Sequence, residues 1–345
     1  MEESNKLSAD TNISTINEKG LLHFLERNGF PYEMQSTILG NIRRLPVRFV
    51  LADDSVSMMI EDSQRCIVVG KRKMLVPCSR WIELYDSLKF HAQLANSANT
   101  ITEFHFLNFS NPIIVGLRDE DGAGISEAIA TFKNLTPSGS TPLCRHIESV
   151  VFKIKKLRPQ LLANNQKAVV TIATDGESTD GNIVDALKPL KKLPVVVVVR
   201  LCTNSKDVID YWNNVDADLD LKIDVLDDCR GEADTVYKYN KWLTYGKPLH
   251  RLREIGIRFK ELDFLDRGKL SHDQMRSMCA LLVSDGKSSE LPDPKSDWKA
   301  FYDAVQDRVK ASPMVYCPRT NKMKPWIHMR HLRNEYGPQR CCSIS

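Results

Sequence analysis

The sequence predicts an α/β protein: a doubly wound, mostly parallel sheet flanked by helices, followed by a C-terminal helical region. Three observations predict it. Apolar, β-branched runs at 47–52, 167–174 and 195–201 have the length of strands and little alternation, as strands buried on both faces do. Amphipathic stretches at helical spacing lie between them. Strands and helices then keep alternating from Pro46 to about Asp228, which argues for parallel pairing with helices on both faces.

The elements follow in order. Residues 1–18 are polar and read as disordered. Leu21, Leu22 and Leu25 suggest a short helix that Gly29 and Pro31 stop, and a second runs from about 33 to 44. This leader (1–44) is too short for a core of its own. Val47–Ala52 is a strand. Trp81, Leu84, Tyr85, Leu88 and Ala92 make 80–97 an amphipathic helix. Strands at 101–107 and 112–115 suggest an antiparallel hairpin. Helices are expected at 124–134 and 141–157, a strand at 167–174, and a helix at 181–193 that Pro189 kinks or ends. A strand at 195–201, a helix at 206–214 and a strand at 221–226 complete a domain spanning 45–228. Beyond it the strands stop. Residues 229–311 read as helical, with helices at 232–242, 251–262 and 297–310, the last capped by Ser296. Residues 312–345 read as an irregular basic tail.

Chemistry concentrates in three loops. Asp53-Asp54-Ser55-Val56-Ser57 ends the first strand, Ser138-Gly139-Ser140-Thr141-Pro142-Leu143 precedes a helix, and Thr174-Asp175-Gly176-Glu177 ends a later strand. In such sheets ligands bind at the carboxyl ends of strands, so the Asp53 and Asp175 loops can converge. Two carboxylates with three hydroxyls form an oxygen-only set that suits a hard divalent cation with waters left in its shell. Asp54 and Glu177 stand beside it as charges that can tune it.

These three loops resemble the metal-ion-dependent adhesion site (MIDAS) of von Willebrand factor A (vWA) domains, whose signature is Asp-x-Ser-x-Ser, then a distant Thr, then a distant Asp. Asp53, Ser55, Ser57, Thr141 and Asp175 match those positions. The resemblance covers about residues 45–228. It implies that Ser55, Ser57 and Thr141 contact Mg²⁺ (or Mn²⁺) through their hydroxyls, that Asp53 and Asp175 act largely through bound waters, and that a sixth position accepts a partner's Glu or Asp. Many members carry Gly between the two serines. Val56 stands there in this chain, with its side chain expected to point away from the metal.

The last four residues, Cys342-Ser343-Ile344-Ser345, resemble a CaaX prenylation box, with Cys342 as the farnesyl acceptor and Cys341 as a palmitoyl acceptor. One lipid gives marginal membrane binding, so Cys341 or the basic residues before it would supply the second signal. Weaker constellations read as structure. Residues 263–274 are similar to an EF-hand loop, but Leu265 and Arg267 hold two ligand places and Gln274 replaces the closing Glu, so a helix–turn–helix is expected. Cys317, His328, His331 and Cys341 have irregular spacings for zinc. His146 is expected to pack or cap rather than act as a base.

Composition narrows the function. With 42% apolar and 27% charged residues the chain reads as an ordinary globular protein, and a net charge of +4 gives no case for nucleic acid. Nine scattered cysteines and an acidic N-terminus unlike a signal peptide read as a cytoplasmic protein, on a membrane's cytoplasmic face if lipidated. No nucleotide-binding glycine motif and no Gly-x-Ser-x-Gly occurs. The expected function is a metal-dependent protein-binding module rather than an enzyme. The alternatives are a structural subunit of an intracellular assembly, or a metal-assisted hydrolase or phosphoryl-transfer enzyme.

Overall fold

The computed structural model describes residues 16–70, 72–116, 123–219, 221–284, 286 and 290–338. In chain order they form α1 (Glu18–Arg27), α2 (Tyr32–Ile42), β1 (Val47–Ala52), β2 (Ser63–Val69), β3 (Arg72–Cys78), α3 (Arg80–Ala98), β4 (Ile101–Phe106), β5 (Ile113–Val115), α4 (Ala123–Asn134), α5 (Leu143–Ala163), β6 (Ala168–Thr174), α6 (Ile183–Leu187), β7 (Val195–Leu201), α7 (Lys206–Leu219) and β8 (Asp224–Leu226). They continue as α8 (Cys229–Tyr239), α9 (Lys247–Glu254), α10 (Leu262–Leu265), α11 (His272–Val283), α12 (Trp298–Ala311), β9 (Val315–Cys317), β10 (Lys322–Lys324) and α13 (Met329–Tyr336).

The central sheet has six strands in the order β5-β4-β1-β6-β7-β8, all parallel except β5. Counted along the chain this is 3-2-1-4-5-6, the doubly wound order, and its switch point lies between β1 and β6. Val47, Phe49 and Leu51 face α5, α6 and α7, whose Ile147, Val150, Leu187 and Trp212 share one core. Val50, Ala52, Phe104 and Phe106 face α3 and α4.

A third core joins the first and last described segments. Leu21, Leu25 and Ile38 of α1 and α2 pack with Val236, Leu252, Met275, Phe301 and Leu332 of the C-terminal helices, and Val169 of β6 belongs to the same cluster. The leader and the C-terminal helices therefore bury each other's apolar faces against the sheet. At its centre lies α9, whose residues from Pro248 to Glu254 are all buried, including His250, Arg251, Arg253 and Glu254. Gly256 ends it at φ +79°, and a Cβ there would meet Val169 Cγ1 at 2.9 Å, so only glycine lets the turn lie on the sheet.

Several elements differ from the sequence expectation. The helix expected at 251–262 lies earlier, because Pro248 starts it and Gly256 stops it. The helix expected at 141–157 starts at Leu143 and runs through Pro159 to Ala163, with Leu157 and Leu161 anchored in the core on either side of the proline. The 206–214 helix extends to Leu219, since Val215 and Leu219 are buried. Asp297, not Ser296, caps α12, accepting from Ala300 N at 2.8 Å. Strands do not stop at Asp228: β9 and β10 form a hairpin and α13 follows, with Trp326, Ile327, Leu332 and Tyr336 buried beneath a basic surface. The β2–β3 hairpin, with Gly70 at φ +61° in its turn, has no counterpart in the sequence reading.

Candidate metal centre

The switch point places Asp53, one of the five expected residues, beside Thr174, the neighbour of another. Ala52 and Ala173 are paired in the sheet, so the next residues, Asp53 and Thr174, leave it together. Thr174 Oγ1 donates to Asp53 Oδ2 at 2.7 Å, and Ser55 N donates to Asp53 Oδ1 at 2.9 Å. Both oxygens of Asp53 are thus fixed. The turn that follows carries Ser55 and Ser57 back over the edge, their hydroxyls 3.0 Å apart. Ser57 Oγ donates to Asp175 Oδ1 at 2.9 Å. Val56 points to solvent, 65% exposed.

Thr141 reaches this rim through its backbone. Ser138 N donates to Asp54 O at 2.7 Å, Val56 N to Gly139 O at 3.2 Å, and Thr179 N to Thr141 O at 2.9 Å. Gly139 has φ +78°, and a Cβ there would lie 2.4 Å from Asn108 Oδ1 of the loop after β4, so the turn beside Asn108 requires glycine. Thr141 is buried, and among the described residues no side-chain bond links it to the other four.

Four further residues shape the site. Arg80, the first residue of α3, donates from Nη1 to Asp175 Oδ2 at 2.8 Å, while its Nε and Nη2 pair with both oxygens of Asp62. Its bonds hold the Asp62 carboxyl below the ordinary range. Asp54, expected to tune the site's charge, feels the charge of Asp53 and accepts from Asn108 N at 2.8 Å and Asn108 Nδ2 at 3.1 Å. It is a loop brace, because its side chain points to the β4 side. Asp180 accepts from Cys144 N and Arg145 N at 2.9 and 3.0 Å and so caps α5 beside Thr141. Arg80 and Asp180 lie outside the recognised motif. The only sequence signal for Arg80 is its place after Ser79, the residue that caps α3.

The donors fit a hard cation in kind: carboxylate and hydroxyl oxygens meet at a strand edge. Burial pushes the Asp53 carboxyl above its ordinary range, opposed by its bonds from Ser55 and Thr174 and reinforced by Asp175. A positive charge would relieve that cost, and Arg80 is the positive charge present. Among the described residues no group of three or more His, Cys, Asp or Glu is arranged to hold a metal, so such a cation would depend on the hydroxyls and on water.

The remaining expected sites resolve as follows. Cys341 and Cys342 lie outside the described residues. The seven described cysteines are free thiols. Gln274 forms a capping box with Ser271 at the start of α11, and Asp266 of the EF-hand-like segment turns to Arg253 at 3.4 Å. Cys317 is buried on β9, and His328 Nε2 lies 3.2 Å from Thr244 Oγ1. His146 Nε2 is 3.1 Å from Leu107 O. No helix of the described residues is long and apolar enough to cross a membrane.

The fold and this edge define an α/β protein with an oxygen-lined site at the switch point of a doubly wound sheet. No family model matches the chain, and no curated protein matches it. Among solved structures, the crystal structure of the SpRpn10 VWA domain is similar at 12% sequence identity and a TM-score of 0.36, over 53% of this chain and 87% of that one. A likeness at that level adds no weight to any residue's role.

Proposed function

We propose that this protein is a protein-binding module whose switch-point site holds Mg²⁺ or Mn²⁺ and captures a carboxylate presented by a partner's Asp or Glu. The observation that supports it best is the 2.9 Å bond from Ser57 to Asp175, which joins loops 118 residues apart around an oxygen-only set. Ser55, Ser57 and Thr141 would hold the ion through hydroxyls, and Asp53 and Asp175 through water. When bound, the ion supplies positive charge and an open position for one more oxygen. Asp53 positions the Ser55 turn, Gly139 brings the Thr141 loop close, and Asp180 fixes the start of α5 beside it.

Binding is favoured over catalysis by the hydroxyls' partners. Ser55 bonds to Ser57 and Ser57 to Asp175, and among the described residues no imidazole reaches them as a general base. A structural subunit is the second reading, supported by the core that ties α1 and α2 and the C-terminal helices to the sheet. Were Cys342 farnesylated, with Cys341 or basic residues as a second anchor, the module would act at a membrane face.

The test has two parts. Mn²⁺ binding is measured by electron paramagnetic resonance on the full chain and on Asp53→Ala, Ser57→Ala and Thr141→Ala. Capture of partners is then compared in Mg²⁺ and in EDTA. Saturable Mn²⁺ binding that all three variants weaken, with capture lost in EDTA, supports the proposal. Capture indifferent to both EDTA and Asp53→Ala sinks it and favours the structural reading.

A further inference from the structure

A cleft of about 600 Å³ opens away from the switch-point site, where five segments meet. The α1–α2 turn, the β2–β3 hairpin, the middle of α3, the start of α9 and the start of β9 enclose it. Its volume is in the range of small-molecule sites, and such sites favour junctions between packed units. This one lies where the first and last described segments close over the sheet.

The lining is divided by chemistry. Phe30 and Phe90 line its floor with their rings stacked at 6.2 Å, Phe24 lies 5.4 Å from Phe90, and the Arg251 guanidinium covers the Phe90 ring at 5.1 Å, leaving Phe90 7% exposed. Val68, Pro248 and Met314 supply apolar walls. Lys73, Lys89 and Lys247 surround them, and among the described residues none of the three makes an ion pair. Lys73 and Lys247 both act electrostatically on the Cys66 thiol, so their charges converge on one end. Lys247 reaches solvent through the cleft but is otherwise crowded by protein. That burial, and then Arg251, lower its pKa, against Asp86 and Glu83. Of the anionic lining residues, Asp86 already faces Arg65 at 3.7 Å, and Glu26 lies at the exposed rim.

We infer that this cleft binds a small organic phosphate with an apolar body, the phosphate near Lys73, Lys89 and Lys247 and the body against Val68, Pro248 and Met314. Three flexible ammonium groups suit a phosphate as point charges. Val68 and Met314, 66% and 61% exposed, offer the ligand's body apolar surface to cover. Asp86 and Glu26 can accept from hydroxyl or amino groups of the ligand, and they disfavour a second anionic end. The inference is independent of the metal reading, since none of the five expected metal ligands lines the cleft.

The experiment titrates the full chain with phenyl phosphate, inorganic phosphate and phenol, by calorimetry and by amide NMR. Phenyl phosphate is expected to saturate, inorganic phosphate to bind about tenfold more weakly, and phenol not to bind. Lys89→Met/Lys247→Met should weaken phenyl phosphate at least about tenfold, and Lys73→Met on the exposed hairpin should weaken it without touching the core. EDTA and Asp53→Ala should change nothing. The inference is overturned by absence of saturable binding, by equal affinity for phosphate and phenyl phosphate, by lysine variants that bind normally, or by loss of binding in EDTA.

Discussion

Arg80 and Asp175 are joined at the centre of the site: Nη1 stands 2.8 Å from Oδ2, on a carboxylate whose other oxygen takes the Ser57 hydroxyl. The pair is buried, with the Asp175 side chain 2% exposed. A guanidinium and a divalent cation cannot both sit against that carboxylate without strong repulsion. Arg80→Gln is therefore expected to tighten Mg²⁺ binding about tenfold and to destabilise the metal-free protein by about 3 kcal/mol, because Asp175 loses its partner. Thermal melts with and without Mg²⁺ check this. The variant should show a larger Mg²⁺-induced rise than the parent, and an equal rise would refute the competition.

Much of this architecture is legible in the sequence, and the failures have physical causes. Val47–Ala52 and Val195–Leu201 are read to the residue, because strands buried on both faces have few alternatives to an apolar run. The loops carrying Asp53 and Asp175 follow from strand ends alone. Arg80 is missed because its role depends on Asp62 and Asp175, which no spacing rule connects to it. The burial of α9 is missed because Lys-Pro-Leu-His-Arg-Leu-Arg-Glu looks like a solvated helix. The counter-signal was present: Arg200 sits inside an otherwise apolar strand, and a buried charge requires a charged element to cover it. The basic count of residues 312–340 likewise masked the apolar spacing of Trp326, Ile327, Leu332 and Tyr336.

Glu254 is the anion that α9 brings to this face. It accepts from Arg200 Nε at 3.1 Å and from Arg251, with His250 Nε2 3.2 Å away. Burial alone would raise its pKa, but Arg251 and then the neighbouring imidazoles of His250 and His91 hold it well below the ordinary range. A depressed carboxylate contributes stability above its unfolded pKa and loses it only as pH falls through the lower folded value. Glu254→Gln leaves Arg251 without an anionic partner and should cost about 3–5 kcal/mol in denaturant unfolding at neutral pH. A change under about 1 kcal/mol would mean that Glu83 and water already neutralise the cluster.

Arg48 is the opposite case. It is buried on β1, its Nη1 donates to Thr100 Oγ1 at 3.2 Å, and its Nε and Nη2 have no partner among the described residues. Burial pushes its pKa down to about 10. A desolvated charge without an anion is a cost, so Arg48→Met, close in shape, should raise stability by about 1–3 kcal/mol. Denaturant midpoints at unchanged m-value measure this, and a destabilised variant would show that a buried anion or water offsets the charge.

Glu232 sets a pH dependence of unusual sign. It pairs with Arg253 at 2.6 Å, yet burial pushes its pKa to about 7, because Asp224 and Asp266 share the same guanidinium. A carboxyl raised in the folded state binds its proton more tightly there than in the unfolded chain. Its contribution is full below the unfolded value near 4.5 and is lost as pH rises through about 7. Asp227, pushed to about 6 by burial and Asp228, acts in the same direction at slightly lower pH. His91 and His250, lowered by burial, act oppositely below their ordinary value of 6.5. The parent's melting curve therefore mixes signs, and Glu232→Gln separates them. Gln imitates the protonated form, and Arg253 keeps two carboxylates. The variant's stability relative to the parent should rise by about 2–3 kcal/mol between pH 5 and pH 8. No such rise would mean that the ionised pair with Arg253 outweighs the burial of Glu232.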